Sequence, residues 1–250
     1  MAPRTRRDVR RMKTILRRLV RAYGPRPWKC WGKGVDVLID TILSQNTSAA
    51  NSDAGYRQLR RRFRSWNQVA HAPVDEVERH IRVSGLSRIK APRIQTILRQ
   101  IKADVGRMDL QHLEEWDPQR AYEYLTRFAG VGPKTAYCVL MFAFGMKVFP
   151  VDTHIHRIAI RLGLVDSRTT AEQVCAQLTP VISANDRYAM HVLLIEHGRK
   201  TCTARSPKCP DCPLLDLCPE GQRRVTSSSS ASRRIASAPA RGSARRPRIR

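Results

Sequence analysis

Residues Phe128–Arg157 read FAGVGPKTAYCVLMFAFGMKVFPVDTHIHR, and the pattern within this stretch governs the fold of the chain around it. Gly130 and Gly132 flank a single apolar residue and run directly into Pro133 and Lys134. Without a Cβ, both glycines suit a tight turn at positive φ whose backbone amides can approach a bulky anion such as phosphate. Pro133 fits the first turn of a helix, where its missing N–H costs nothing and its φ is already helical. Tyr122, Leu125 and Phe128 before the turn, and Ala136, Val139, Leu140 and Phe142 after it, fall at helical spacing. The pattern predicts helix, tight hairpin, helix, with Lys134 in the first turn of the second helix. There the helix dipole and partial burial both lower an amine's pKa, and a neutral amine is a nucleophile. Asp152 follows at the head of another helical stretch, residues 154–163, where an aspartate also serves as an N-cap.

Composition limits the partners. Lys and Arg number 46 against 21 Asp and Glu, a net charge of +25, and the pI is near 11.0. Such a balance points to a polyanion, most often nucleic acid, with a merely basic ribosome-associated protein as the plain alternative. Hydrophobic residues make up 42%, enough for a real core. No apolar run approaches the ~20 residues that cross a bilayer, and no secretory segment follows the amino terminus. The Arg-rich start leaves an organelle transit peptide open, but Val9, Met12, Ile15, Leu16 and Leu19 make one helical face, which favours a structural helix over residues 8–23. With seven cysteines and no secretion signal, we expect a reducing compartment, the cytoplasm and its nucleoid.

Helical patterns recur along the rest of the chain. Val35–Leu43 suits a buried helix, and Ser44-Gln45-Asn46-Thr47-Ser48 is a polar loop at its end or a cap for the next helix, residues 49–64. Trp66 is a core anchor ahead of a helix over 73–82. Ser84-Gly85-Leu86-Ser87 is a turn, and a helix with Pro92 early in it covers 90–101. His112–Asp117 links to the hairpin, and residues 171–182 and 185–198 are further helices. His154 and His156, two apart, lie on different helix faces and are not expected to bind a metal. From Gly221 the chain is rich in Ser, Ala and Pro and carries nine arginines with no acid, so residues 221–250 are expected to be a disordered basic tail that adds salt-sensitive affinity for nucleic acid.

Four cysteines follow the last helical pattern, spaced Cys202-x6-Cys209-x2-Cys212-x5-Cys218. In a reducing compartment this is a metal site rather than a disulfide pair. Only one Cys-x2-Cys pair is present, and Cys209, Cys212 and Cys218 each precede proline, a pattern that fits a [4Fe-4S] cluster better than zinc. Arg205 and Lys208, between the first two cysteines, would face phosphate.

The segment FAGVGPKTA followed by Val151-Asp152-Thr153-His154 resembles the helix-hairpin-helix Gly-Pro-Asp superfamily of DNA glycosylases, most closely its endonuclease III branch. Phe128-Ala129 stand where the family has Leu-Pro, and Pro133 replaces a basic residue, which removes one positive charge near a phosphate. The cysteine spacing matches the family's cluster loop, and the likeness covers roughly residues 10 to 220. The resemblance implies an all-α, two-lobed fold: a bundle over 33–146 ending in the hairpin (about 119–144), and a cluster lobe of 147–220 joined by residues 1–32. It implies Lys134 as a Schiff-base lysine and Asp152 as the catalytic carboxylate. It further implies Gln45 or Asn46, in a register left open, filling the space of an extruded base, and Leu86 wedging into the duplex. The implied activity is removal of damaged pyrimidines from double-stranded DNA with cleavage at the abasic site, by a monomer. The alternatives are a monofunctional mismatch glycosylase, a noncatalytic hairpin DNA-binding protein and a zinc-stabilised nucleic-acid module.

Overall fold

The computed structural model describes residues 5–236, and among these it contains helices and no strand. The first helix, α1 (Arg6–Tyr23), starts at Thr5, whose side chain accepts from the Asp8 amide while the Asp8 carboxylate accepts from the Thr5 amide. Its apolar face buries Met12, Ile15 and Leu19. Then come α2 (Gly34–Leu43), α3 (Ala49–Arg62), α4 (Trp66–His71), α5 (Val74–Ile81) and α6 (Ser87–Val105). The hairpin pair is α7 (Pro118–Thr126) and α8 (Pro133–Phe144), followed by α9 (Thr153–Arg161), α10 (Ala171–Leu178), α11 (Arg187–Lys200) and α12 (Pro219–Ala236).

Buried side chains fall into two clusters. One takes residues from Val35 to Val148 and centres on α2, α6 and α8, in which Leu38, Ile39, Ile42, Ile94, Leu98, Val139 and Leu140 are fully buried. The other joins α1 to everything from Phe149 to Cys218: Ile15 and Leu19 pack with Ile155, Ile158, Val174 and Leu193. The chain therefore crosses between lobes twice, once after α1 and once after α8. At the first crossing the Trp28 indole donates to the Met141 carbonyl at 2.8 Å, and Trp31 stacks on Phe142 with centroids 4.0 Å apart. Trp66, expected in the core, is buried at the head of α4, and its indole N–H donates to Asp36, which also accepts from the Tyr56 hydroxyl.

Three expectations need correction. The helix expected over 49–64 ends at Arg62, and residues 66–71 form a helix of their own because Ser65 and Gln68 make a capping box that starts a new turn. The helix expected from Lys90 begins at Ser87, so Pro92 lies inside it, past the first turn, where its missing N–H forgoes one helical hydrogen bond, to the Arg88 carbonyl. Residues 221–236, expected to be irregular, continue α12, which opens on Pro219 and Glu220, the latter paired with Arg223 and Arg224 one turn on. The rest of the expected tail, residues 237–250, lies outside the described residues.

Candidate active site

The hairpin is built as its sequence requires at one glycine and differently at the other. Gly130 takes φ +78°, the left-handed region. Gly132 is extended at φ −88° and ψ −179° and serves as N-cap of α8. The positive φ expected of both belongs to Gly130 alone. At Gly132 a Cβ would meet nothing within 4 Å, so what the missing side chain leaves there is open access to the backbone. The helix start has no side-chain cap. Phe128, buried beneath the turn, and Val131 anchor it to the first lobe's core.

Lys134 stands in the first turn of α8 and Asp152 at the N-cap of α9, where its carboxylate accepts from the Ile155 amide at 2.8 Å. The two side chains come from different lobes and line one open groove of about 1570 Å³, well above the 300–1000 Å³ that hold a small molecule. Cys138, one turn beyond Lys134, lines the same groove; burial pushes its thiol up, against the pull of the Lys134 ammonium.

Three residues that the sequence reading did not single out shape this groove. His191, on α11, is buried beneath it, and its Nδ1–H donates to the Pro150 carbonyl at 2.9 Å, two residues ahead of Asp152. Burial drives its pKa down to about 4, with the Asp152 carboxylate pulling the other way. Asp40 faces Lys134 from α2, its carboxyl pulled up by burial and by Asp53, and down by Lys134. Lys90 is 1% exposed, and burial lowers its pKa to about 8. Its ammonium donates to the carbonyls of Leu43 (2.7 Å), Gln45 (2.7 Å) and Ser84 (2.9 Å).

Lys90 thereby ties together two loops that carry sequence-expected site residues. The Gln45 side chain is turned back onto the hairpin, donating to the Gly130 carbonyl at 3.1 Å and the Thr135 hydroxyl at 3.2 Å. Asn46 takes φ +54°, is exposed, and its side chain makes no hydrogen bond among the described residues. Leu86 takes φ +52° and is 49% exposed. Asn46 and Leu86 are the two non-glycine residues at positive φ among the described residues. For a leucine that conformation costs roughly 1–2 kcal/mol with no burial to offset it.

The four cysteines converge on one cavity at the base of the second lobe, beside His197 and Arg161. Their sulfurs accept hydrogen bonds of the kind that thiolates attract: Arg161 to Cys202 at 3.3 Å, the Leu214 amide to Cys212 at 3.4 Å and the Gly221 amide to Cys218 at 3.3 Å. Burial raises the Cys212 thiol to about 11 and also raises Cys218, so together they would ionise only against a strong positive charge. No three of them close on a single metal ion among the described residues, whereas a cubane takes one thiolate at each of four irons. Arg205 and Lys208 are exposed on the same loop.

The profile of the HhH-GPD superfamily of base excision DNA repair proteins matches residues 39–183, and that of the iron-sulfur binding domain of endonuclease III matches residues 202–218. Endonuclease III of Sulfolobus acidocaldarius is 34% identical over 183 residues, which is 72% of this chain and 79% of that one. Among solved structures, a non-covalent endonuclease III–DNA complex aligns with a TM-score of 0.77 at 29% identity, covering 87% of this chain and 98% of its own. A trapped endonuclease III–DNA covalent intermediate gives 0.75 at the same identity and coverage.

Proposed function

The chain belongs to the HhH-GPD superfamily of base excision DNA repair proteins, in its endonuclease III branch, and from that premise we propose how its residues divide the work. It is a DNA glycosylase and abasic-site lyase that binds DNA and carries a [4Fe-4S] cluster. The substrate is double-stranded DNA bearing an oxidised pyrimidine, bound by a monomer. The observation that carries the assignment of roles is the meeting of Lys134 and Asp152, from two lobes, on one groove too large for a small metabolite.

The target base leaves the stack so that its C1′ can be reached, at a cost of a few kcal/mol that is lower for a damaged base. Asn46 and Leu86 fill the space it leaves; Gln45, bonded to the hairpin, holds the loop in place. The Lys134 amine, after giving a proton to the Asp152 carboxylate or to water, attacks C1′, and the base departs with its bonding pair and picks up a proton. Asp152 also stabilises the positive charge that builds on the sugar ring. The sugar ring then opens: the nitrogen lone pair forms the C=N bond as the C1′–O4′ bond breaks, and O4′ takes up the proton that the nitrogen gives up. The imine so formed activates the C2′ proton, and its removal expels the 3′-phosphate by breaking the C3′–oxygen bond, which cuts the strand. Gly130 and Gly132 give the hairpin backbone close access to phosphate, and Arg205 and Lys208 add positive charge from the cluster loop.

Cys202, Cys209, Cys212 and Cys218 would hold the cluster, which when bound would fix the fold of the loop. Arg161, hydrogen-bonded to Cys202 and to the carbonyls of Thr203 and Ala204, orients that loop against α9.

Two duplexes separate the roles. On DNA containing thymine glycol, Lys134→Gln should lose strand cleavage, and Asp152→Asn should lose base release by several orders of magnitude. On a preformed abasic site Asp152→Asn should lose far less, since that step needs mainly the amine. Equal losses for Asp152→Asn on both substrates would contradict the division.

A further inference from the structure

The hairpin has no free cation of its own. From Phe128 to Pro133 no residue is basic. Lys134 is turned to the groove, where the reaction occupies it. Arg127, just ahead of the turn, is spent: it pairs with Asp104 at 3.1 Å, and its guanidinium lies 4.5 Å over the Tyr124 ring. A turn that approaches a phosphodiester would therefore do so with backbone alone.

A cation nevertheless lies on it. Arg93 projects from the second turn of α6 against Gly130, so closely that a Cβ built on that glycine would be 2.3 Å from Cζ and 2.4 Å from both Nε and Nη1. The guanidinium rests against the face that the glycine leaves bare. Other basic side chains of α6 are engaged: Lys90 with three carbonyls, Arg99 with the Ala70 carbonyl at 3.0 Å, Lys102 with Asn67 at 3.1 Å. Arg93 makes no hydrogen bond or ion pair among the described residues, so its donors are held in place by packing and remain unspent.

We propose that Arg93 is a phosphate-binding residue of the hairpin, brought in space from α6 to a turn that lacks a cation in sequence. Its ligand is a backbone phosphodiester of the bound duplex. A planar guanidinium with parallel N–H donors is suited to two phosphate oxygens at once, and laying it on a rigid turn reduces the side-chain freedom lost on binding. The position also accounts for the tolerance of Pro133 at the start of α8: the charge absent there is supplied from one helix away. Gly130 then has two tasks, a positive φ for the turn and a bare surface for Arg93.

The inference rests on the reading that the hairpin contacts DNA, and the test separates the two. Binding to a duplex carrying a tetrahydrofuran abasic analogue is measured across a range of salt concentrations for the full chain with its cluster. Losing one phosphate contact should lower the slope of log affinity against log salt by about one, and at 0.1 M salt weaken binding about five- to tenfold in Arg93→Gln. The loss should be the same on an undamaged duplex, because phosphate contacts carry no base information. Arg93→Lys should keep most of the slope, and Arg93→Gln with Pro133→Arg should restore it by returning the charge to the hairpin. An unchanged slope in Arg93→Gln, with or without a loss of affinity, would overturn the proposal, since a packing role alone releases no counterions. Wild-type protein that fails to bind the analogue would instead overturn the hairpin reading itself.

Discussion

Lys90 shows how much a single residue can decide without any local pattern to announce it. In sequence it is one of 46 basic residues, on a helix that has several more, and the natural expectation for such a lysine is solvent. Only the tertiary structure turns three carbonyls from two loops onto its ammonium. Lys90→Met should leave those carbonyls unpaired in a dry site and cost about 3 kcal/mol or more, read as a lowered denaturant midpoint. Because Asn46 and Leu86 sit just past the anchored carbonyls, base release should fall further than cleavage of a preformed abasic site. Equal effects on both, or a stability loss under ~1 kcal/mol, would show that the brace is not needed. Lys134 and Asp152 were legible because their chemistry travels with glycine, proline and capping signals next to them. His191 was not: a lone histidine inside an apolar helix reads as core until Pro150 and Asp152 are folded over it. Nor does the sequence show that the Gln45 amide bonds back onto the Gly130 carbonyl, the contact on which the proposed division between Gln45 and Asn46 rests.

At the scale of elements, periodicity located the helices and local chemistry moved their ends. The Ser65–Gln68 box and the Glu220 pairs each rest on side chains three or four apart that a hydrophobic pattern ignores. Helix α11 carries an acid-labile element. Unfolded, His191 titrates near its ordinary 6.5; folded, at about 4. Between those values the unfolded chain binds more protons, so this contribution is complete above pH 6.5 and is lost as pH falls toward 4. Denaturant midpoints at pH 7.5 and 5 should therefore differ less in His191→Gln than in the wild type; an equal difference would place the acid sensitivity elsewhere. In the cluster loop, anaerobically purified protein should contain about four irons per chain. Stoichiometric zinc without iron would contradict the cubane. Cys212→Ala should lower iron content and destabilise the lobe built on α1, α9 and α11, while leaving the α2–α8 core able to fold.

For the whole molecule, the reaction depends on two cores meeting. Neither lobe contains both the amine and the carboxylate, and the segments that join them are the Trp28–Trp31 crossing and the stretch after α8. This two-lobe arrangement was readable from the hairpin and the cysteine spacing through the family they resemble, whereas the charge of +25 indicated only the class of partner. Positive charge spread beyond the groove should contribute affinity without specificity. Removing residues 237–250 should flatten the salt dependence of binding to undamaged duplex, and an unchanged slope would mean that this segment does not touch DNA. The mechanism turns on the Lys134 amine becoming covalently attached to the sugar. Its most direct test is to reduce the reaction on an abasic duplex with borohydride and map the trapped adduct by peptide mass spectrometry. The sugar should be found on Lys134, with no adduct in Lys134→Gln. An adduct on another residue, or trapping that persists in that variant, would place the nucleophile elsewhere.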